Sequence, residues 1–354
     1  MQRTLPGPFS SMLYMLMLVS LLAASCTPKK TEKMPGTDNE PGSMPQGALK
    51  KIKVYSYWVP TCQFAGYYVG KEKGIFKKHG IDLEIMEYKP FVTTNEIIKQ
   101  KQADFAILWL VNAIQLRSSG INIVNIAQFS TRSSLMLLAR KSSGIKNIED
   151  LNGKRAGIWD GYDFEPRAFF AKYKLNVKII PIGSTNNLFL QGGVDVTNAN
   201  WFDEYHAIIN SGYNENELVK FFFADYGLNF LEDGIYCLED KLKEDPVICT
   251  EFVKASMESW VYALNNPDTS VAVIIRTLRG MNKTANHSHQ KWMIDRYRDL
   301  YLPAGKTNLN SILPEADYLS NARILLQSKQ IGSIPPFSEF YRPYTGLLRK
   351  SAEK

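Results

Sequence analysis

KIKVYSYWVPTCQFAGYYVGKEKGIFKKHGIDLEI, residues 51–85, holds two periodicities in 35 residues. Ile52, Val54, Tyr55 and Tyr57 read as a strand, which ends at Trp58-Val59-Pro60 because proline cannot continue ladder pairing. From Gln63 to Lys73, Phe64, Tyr67, Tyr68 and Lys71 fall at helical spacings, and Gly74 suits a positive-φ helix stop. Ile81, Leu83 and Ile85 alternate again as a second strand. Strand, helix and strand within this length predict a right-handed βαβ unit in a parallel sheet. Ligands of such sheets lie at the carboxyl ends of the strands, where the Trp58-x-Pro60 loop sits.

Working outward, the α/β rhythm continues. Thr93-Thr94 is placed to cap a helix through Glu96, Ile97, Ile98 and Gln100, and residues 103–108 read as a buried strand followed by Trp109 to Asn112. A helix ending at Gly120 and strands near 121–127 and 135–139 complete a first sheet. The polar stretch 140–150 is a candidate boundary. Beyond it, strands are expected at 155–159, 177–180, 194–196 and 219–224, with a helix at 164–173 that carries Pro166 in its first turn. Residues 234–238 return to the first sheet, and the remainder is mainly helical, beginning at the cap pair Asp245-Pro246.

At the start of the chain, Arg3 precedes a 13-residue apolar run, 12–24. That is too short for a hydrocarbon core of ~30 Å, which needs roughly 20 residues, and fits the apolar region of a signal peptide. Leu22-Ala23-Ala24-Ser25-Cys26 resembles a bacterial lipobox, which implies acylation of Cys26 and anchoring by two or three chains. A conventional secretory cleavage nearby is the alternative. Residues 26–49, rich in Pro, Gly, Lys, Thr and Ser, form a flexible tether.

With 18 Tyr, 18 Phe and 6 Trp, the remaining residues can build a core and flat-ring sites. The formal net charge of +7 is scattered, with no basic stripe interleaved with aromatics, so no nucleic-acid partner is expected. Three cysteines besides Cys26 (Cys62, Cys237, Cys249) lack a C-x-x-C spacing and cannot all pair within one chain. His287-x-His289 lies in a polar stretch read as a solvated loop, and no third ligand stands at metal spacing. No Gly-x-Ser-x-Gly, Walker A or Gly-x-Gly-x-x-Gly motif occurs, and no cofactor is expected.

Trp58, Pro60, Gln63, Gly66, Tyr68, Gly74 and Phe76, followed by Gly80-Ile81-Asp82-Leu83, resemble the opening of solute-binding proteins of the sulfonate, nitrate and taurine type, nearest the branch that handles the pyrimidine half of thiamine. The resemblance implies an α/β, type II periplasmic binding protein: two doubly wound α/β lobes joined by a two-strand hinge. Lobe I would be 50–139 and 235–354, lobe II 140–234. It further implies a monomer facing the periplasm or exterior, handing a small heterocycle to the permease subunits of an ABC importer. A bridge between Cys62 and Cys237 near the cleft is one pairing the fold would allow.

In that arrangement several strand-end loops converge. Trp58, Phe64, Trp109, Tyr162 and Trp201 would sandwich a flat ring, and Asp160, Asp163 and Glu204 would accept paired hydrogen bonds from an amino group and a ring N–H. Asn112 and Asn187 add polar contacts. Residues 201–204 resemble the aromatic-aromatic-Asn-Glu stretch of the family, with Asp203 in place of Asn. Each of these residues also suits an ordinary structural role. Relatives that synthesise the pyrimidine carry a lysine for pyridoxal phosphate at about Leu108, a histidine at about Phe64, and a cysteine-rich run across 231–237, where only Cys237 remains. Leucine cannot form a Schiff base, so binding without that reaction is expected. A rebuilt enzyme, or a receptor for a sulfonate-type anion, are the alternatives.

Overall fold

A computed structural model describes residues 49–89, 92–303 and 306–344. The expected signal segment, Cys26 with its lipidation, and the tether up to residue 48 lie outside the described residues.

β1 (Lys50–Ser56) buries Ile52 and Val54 while Lys51 and Lys53 face water, and toward its carboxyl end Tyr55 and Ser56 are buried as well, so both faces are covered there. A 3-10 turn, Cys62–Phe64, leads into α1 (Ala65–Glu72). Gly74, at φ +72°, then redirects the chain into α2 (Ile75–Lys78) and β2 (Ile81–Met86). Thr93 caps α3 (Thr94–Lys99) in a reciprocal box with Glu96. β3 (Phe105–Leu108), α4 (Leu110–Ser118) and β4 (Ile123–Gln128) follow.

The second series comprises β5 (Leu135–Arg140), β6 (Arg155–Trp159), α5 (Phe164–Lys172), β7 (Lys178–Ile182), α6 (Asn187–Leu190), β8 (Val196–Asn200), α7 (Glu204–Asn210) and β9 (Leu218–Phe222). β10 (Gly234–Leu238) precedes α8 (Glu239–Glu244), α9 (Pro246–Asn265), α10 (Pro267–Gly280), α11 (His287–Tyr301) and α12 (Glu315–Gln327). Asp245 caps α9 by accepting the Ile248 N–H at 3.0 Å.

Two five-stranded sheets result, ordered β2-β1-β3-β10-β4 and β7-β6-β8-β5-β9. In each, a central strand is parallel to both neighbours (β1 to β2 and β3, β6 to β7 and β8). Each also holds one strand antiparallel to both its neighbours: β10 between β3 and β4, and β5 between β8 and β9. Those two strands are the ones the chain enters on leaving the other sheet. Residues 135–139, expected in the first sheet, therefore belong to the second, and the chain leaves the first sheet after Gln128 rather than at 140. A fully apolar strand covered on both faces carries no mark of which sheet it joins.

Apolar side chains form one cluster between the first sheet and α1, α9, α10 and α11, and a smaller one under β5, α6 and α7. A third runs without a break from Leu108 and Ala113 in the first lobe to Ile158 and Phe169 in the second. Cys62, Cys237 and Cys249 are free buried thiols, and Cys237 meets Cys249 rather than Cys62.

Candidate functional site

The carboxyl ends of β1, β3, β6, β7 and β8 open on one cavity of about 250 Å³ between the lobes. Its first wall holds Tyr57, Trp58 and Gln63 after β1 and Trp109 after β3; its second holds Trp159, Asp160 and Tyr162 at the end of β6, Ile182 to Ser184 at the end of β7, and Asn200, Phe202, Asp203 and Glu204 at the end of β8. Side chains arrive there because parallel strands all end on the same edge of their sheet. Gly161, at φ +78°, makes the turn that brings Tyr162 back over the opening toward Trp109, with ring centroids 6.3 Å apart.

The first wall is held from below. Tyr57 Oη accepts the Trp109 Nε1–H at 2.6 Å and donates to Asp233 Oδ1 at 2.7 Å. The Gln63 amide also donates to Tyr57 Oη. Asp233 Oδ2 accepts the Tyr297 hydroxyl at 2.5 Å. Asp233 sits at φ +56° in the second crossing between lobes. Its neighbour Glu232 reaches across to the first crossing, where its Oε1 accepts from Ser133 Oγ at 2.9 Å and from Ser134 N–H at 2.8 Å. Burial pushes Glu232 up to about 8 and Asp233 up to about 6, hydroxyl donors holding the latter down in part.

The second wall is acidic. Glu204 accepts the Asn200 N–H at 2.9 Å, and burial, reinforced by the adjacent Asp203 charge, pushes it up to about 8. A carboxyl raised in this way keeps its proton more readily than a free glutamate and can then donate as well as accept. Asp203 Oδ1 accepts from His289 Nε2 at 2.9 Å. The lining contains six aromatic rings and three carboxyl groups but no lysine, arginine or histidine among the described residues.

Of the ten residues expected at a site, Trp58, Trp109, Asp160, Tyr162 and Glu204 line this cavity. Asn112 lines an adjoining one of about 400 Å³, which shares Tyr57, Trp109 and Tyr162 with the first and adds Tyr55, Tyr88, Thr93, Thr94 and Asn95. Phe64 lies beneath the wall, edge-on to Tyr57 at 5.5 Å, because it packs into the core of the first lobe. Asp163 opens α5 and pairs with Arg167 one turn on. Asn187 begins α6 in solvent. Trp201 lies in the turn between β8 and α7 and faces away from the cavity, against Phe222 and under Arg296.

Sequence reasoning missed Tyr57, Trp159 and Phe202, which looked like strand or core aromatics, and the carboxylates Glu232 and Asp233. The only available signal for the last two was an acidic pair just ahead of the returning strand. His289 was read in a solvated loop; it belongs to the first turn of α11, where Asn286 caps its N–H at 3.0 Å.

Two lobes of matching topology, joined by two crossings with a cavity between them, define a protein of the periplasmic-binding-protein fold. The periplasmic aliphatic sulphonate binding protein SsuA from Escherichia coli superposes with a TM-score of 0.64 at 14% identity over 84% of this chain and 93% of that one. Residues 61–270 match the family model NMT1/THI5 like, and the chain belongs to that family. Among its relatives, the riboflavin-binding protein RibY of Chloroflexus aurantiacus is 22% identical over 266 residues, 72% of this chain and 74% of that protein. The 4-amino-5-hydroxymethyl-2-methylpyrimidine phosphate synthase THI5 of Saccharomyces cerevisiae is 25% identical over 108 residues, only 30% of this chain and 32% of the synthase.

Proposed function

We propose that this protein is a lipid-anchored extracytoplasmic receptor that closes on a flat, uncharged or cationic heterocycle, a pyrimidine precursor of thiamine in the first instance, and presents it to an ABC permease. The observation that carries this reading is the lining of the cavity. Six rings offer faces to stack on, three carboxyl groups offer acceptors and a donor to an amino-substituted ring edge, and no basic side chain is there to neutralise a sulfonate or phosphate. The same lining speaks against a phosphorylated product or pyridoxal phosphate at this place. Leu108, where synthase relatives carry their lysine, is a buried apolar strand residue.

A larger ligand of flavin type is a second reading, favoured by the adjoining hydroxyl- and amide-rich cavity and by the relative named for riboflavin. A thermal-shift panel of 4-amino-5-hydroxymethyl-2-methylpyrimidine, riboflavin and alkanesulfonates separates the readings. A ligand at 100 times its dissociation constant stabilises by ~2.7 kcal/mol. Stabilisation by a sulfonate with none by either heterocycle would refute the proposal.

A further inference from the structure

α11 belongs to the first lobe and α7 to the second, and they meet through a chain of three polar side chains beginning in the cavity wall. His289 Nε2 donates to Asp203 Oδ1 at 2.9 Å, and His289 Nδ1 faces His206 Nδ1 at 2.9 Å. Around them further contacts join the lobes. The Trp292 Nε1–H donates to the Trp201 carbonyl at 3.0 Å, the His206 ring stacks on Trp292 at 4.8 Å and 16°, and Arg296 lies over Trp201 at 4.8 Å. All of these contacts run between lobes, so opening the clamshell breaks them together.

We propose that His289 is a positioning residue that locks the cavity carboxylate Asp203 in place when the lobes close, and that the His206–His289 pair makes this closure proton-sensitive. Two ring nitrogens 2.9 Å apart share one proton. A second proton would set two N–H groups head to head, so the closed form resists a charge on His206, and opening removes that clash. The charged groups facing the pair are Asp203, which favours charge on it, and Arg296, two turns along α11, which opposes it. Burial, followed by His289, holds His206 down to about 4. Protons therefore bind the open form better between about pH 6.5 and pH 4, and acidification through that window opens the lobes. The advantage of the closed form falls roughly tenfold per pH unit there.

The role of Asp203 as a ligand contact rests on the proposed function; the latch does not. Small-angle scattering of the purified protein without ligand, at pH 7.5 and pH 5, tests it directly. The wild type should expand on acidification. His206→Gln, which removes the buried ring whose charging the closed form resists and leaves His289 facing Asp203, should stay compact at both values, and His289→Ala should be expanded at both. In a parallel arm, affinity for 4-amino-5-hydroxymethyl-2-methylpyrimidine should weaken about tenfold per unit below pH 6.5 in the wild type and stay flat in His206→Gln. A wild type whose dimensions do not change, or a His206→Gln variant that expands as the wild type does, would overturn the proposal. If the pyrimidine fails to bind while the scattering behaves as stated, the ligand assignment fails and the latch stands.

Discussion

Tyr57 and Asp233, 176 residues apart in the chain, are joined by a 2.7 Å hydrogen bond from phenol to carboxylate. One residue lines the cavity and the other lies in a crossing between the lobes, so the floor of the site and the hinge are one hydrogen-bonded unit.

Tyr57→Phe keeps the ring against Trp109 and Phe64 but removes a donor from a buried carboxylate. Leaving such a group short of a partner costs about 1–3 kcal/mol, and Asp233 should be pushed further up from its value of about 6. Urea unfolding at pH 7.5 should show this loss. An unchanged midpoint with an unchanged slope would mean the contact contributes nothing to the fold.

Glu232, Glu204 and Asp233 all hold their protons to higher pH in the folded state than in the unfolded chain, where carboxyls titrate near 4. Between pH 5 and 8 the folded protein therefore binds more protons, and stability falls as pH rises, by at most about 1.4 kcal/mol per unit for each group. Glu232→Gln retains an acceptor for Ser134 and cannot ionise. Its stability should exceed that of the wild type at pH 8 and vary less from pH 5 to 8 by chemical denaturation. A steeper profile in the variant would contradict the assignment.

Asp160 lies at the end of β6 on the acidic wall. If it accepts from an amino-substituted ring, Asp160→Asn should weaken that ligand by about 1.5–3 kcal/mol, roughly 10- to 100-fold in affinity by calorimetry, with little change in unliganded stability. Asp163→Asn, on the exposed start of α5, is the control and should bind as the wild type does.

α1 approaches α9 so closely that a Cβ on Gly66 would lie 2.5 Å from the Trp260 ring, and one on Gly70 would fall 1.9 Å from Ser259 Oγ. Gly66→Ala should destabilise by about 1–3 kcal/mol through forced repacking, visible as a lowered melting temperature. Trp260→Phe in the same chain should recover part of the loss, which simple loss of backbone freedom at residue 66 would not predict.

Much of the site was legible because its residues sit at the ends of strands, and strand ends show in a sequence. The break at Trp58-Val59-Pro60 and the loops that follow the later strands put Trp58, Asp160, Tyr162 and Glu204 at strand ends. Trp201 and Phe64 were misread because direction within a turn or a 3-10 segment shows in no residue pattern, and an aromatic ring is equally at home in a core and in a cleft. β5 was misplaced because its six residues are covered on both faces and suit either sheet.

By itself the sequence determined the local elements, their alternation, and the family, since periodicity, caps and turn residues act over a few neighbours. Only the tertiary structure decided that β5 joins the second sheet, that Glu232 and Asp233 join hinge to floor, and that His206, His289 and Asp203 form one chain. Those contacts join residues dozens to well over a hundred positions apart, and their energetics depend on burial and on distances of about 3 Å, which no local pattern encodes.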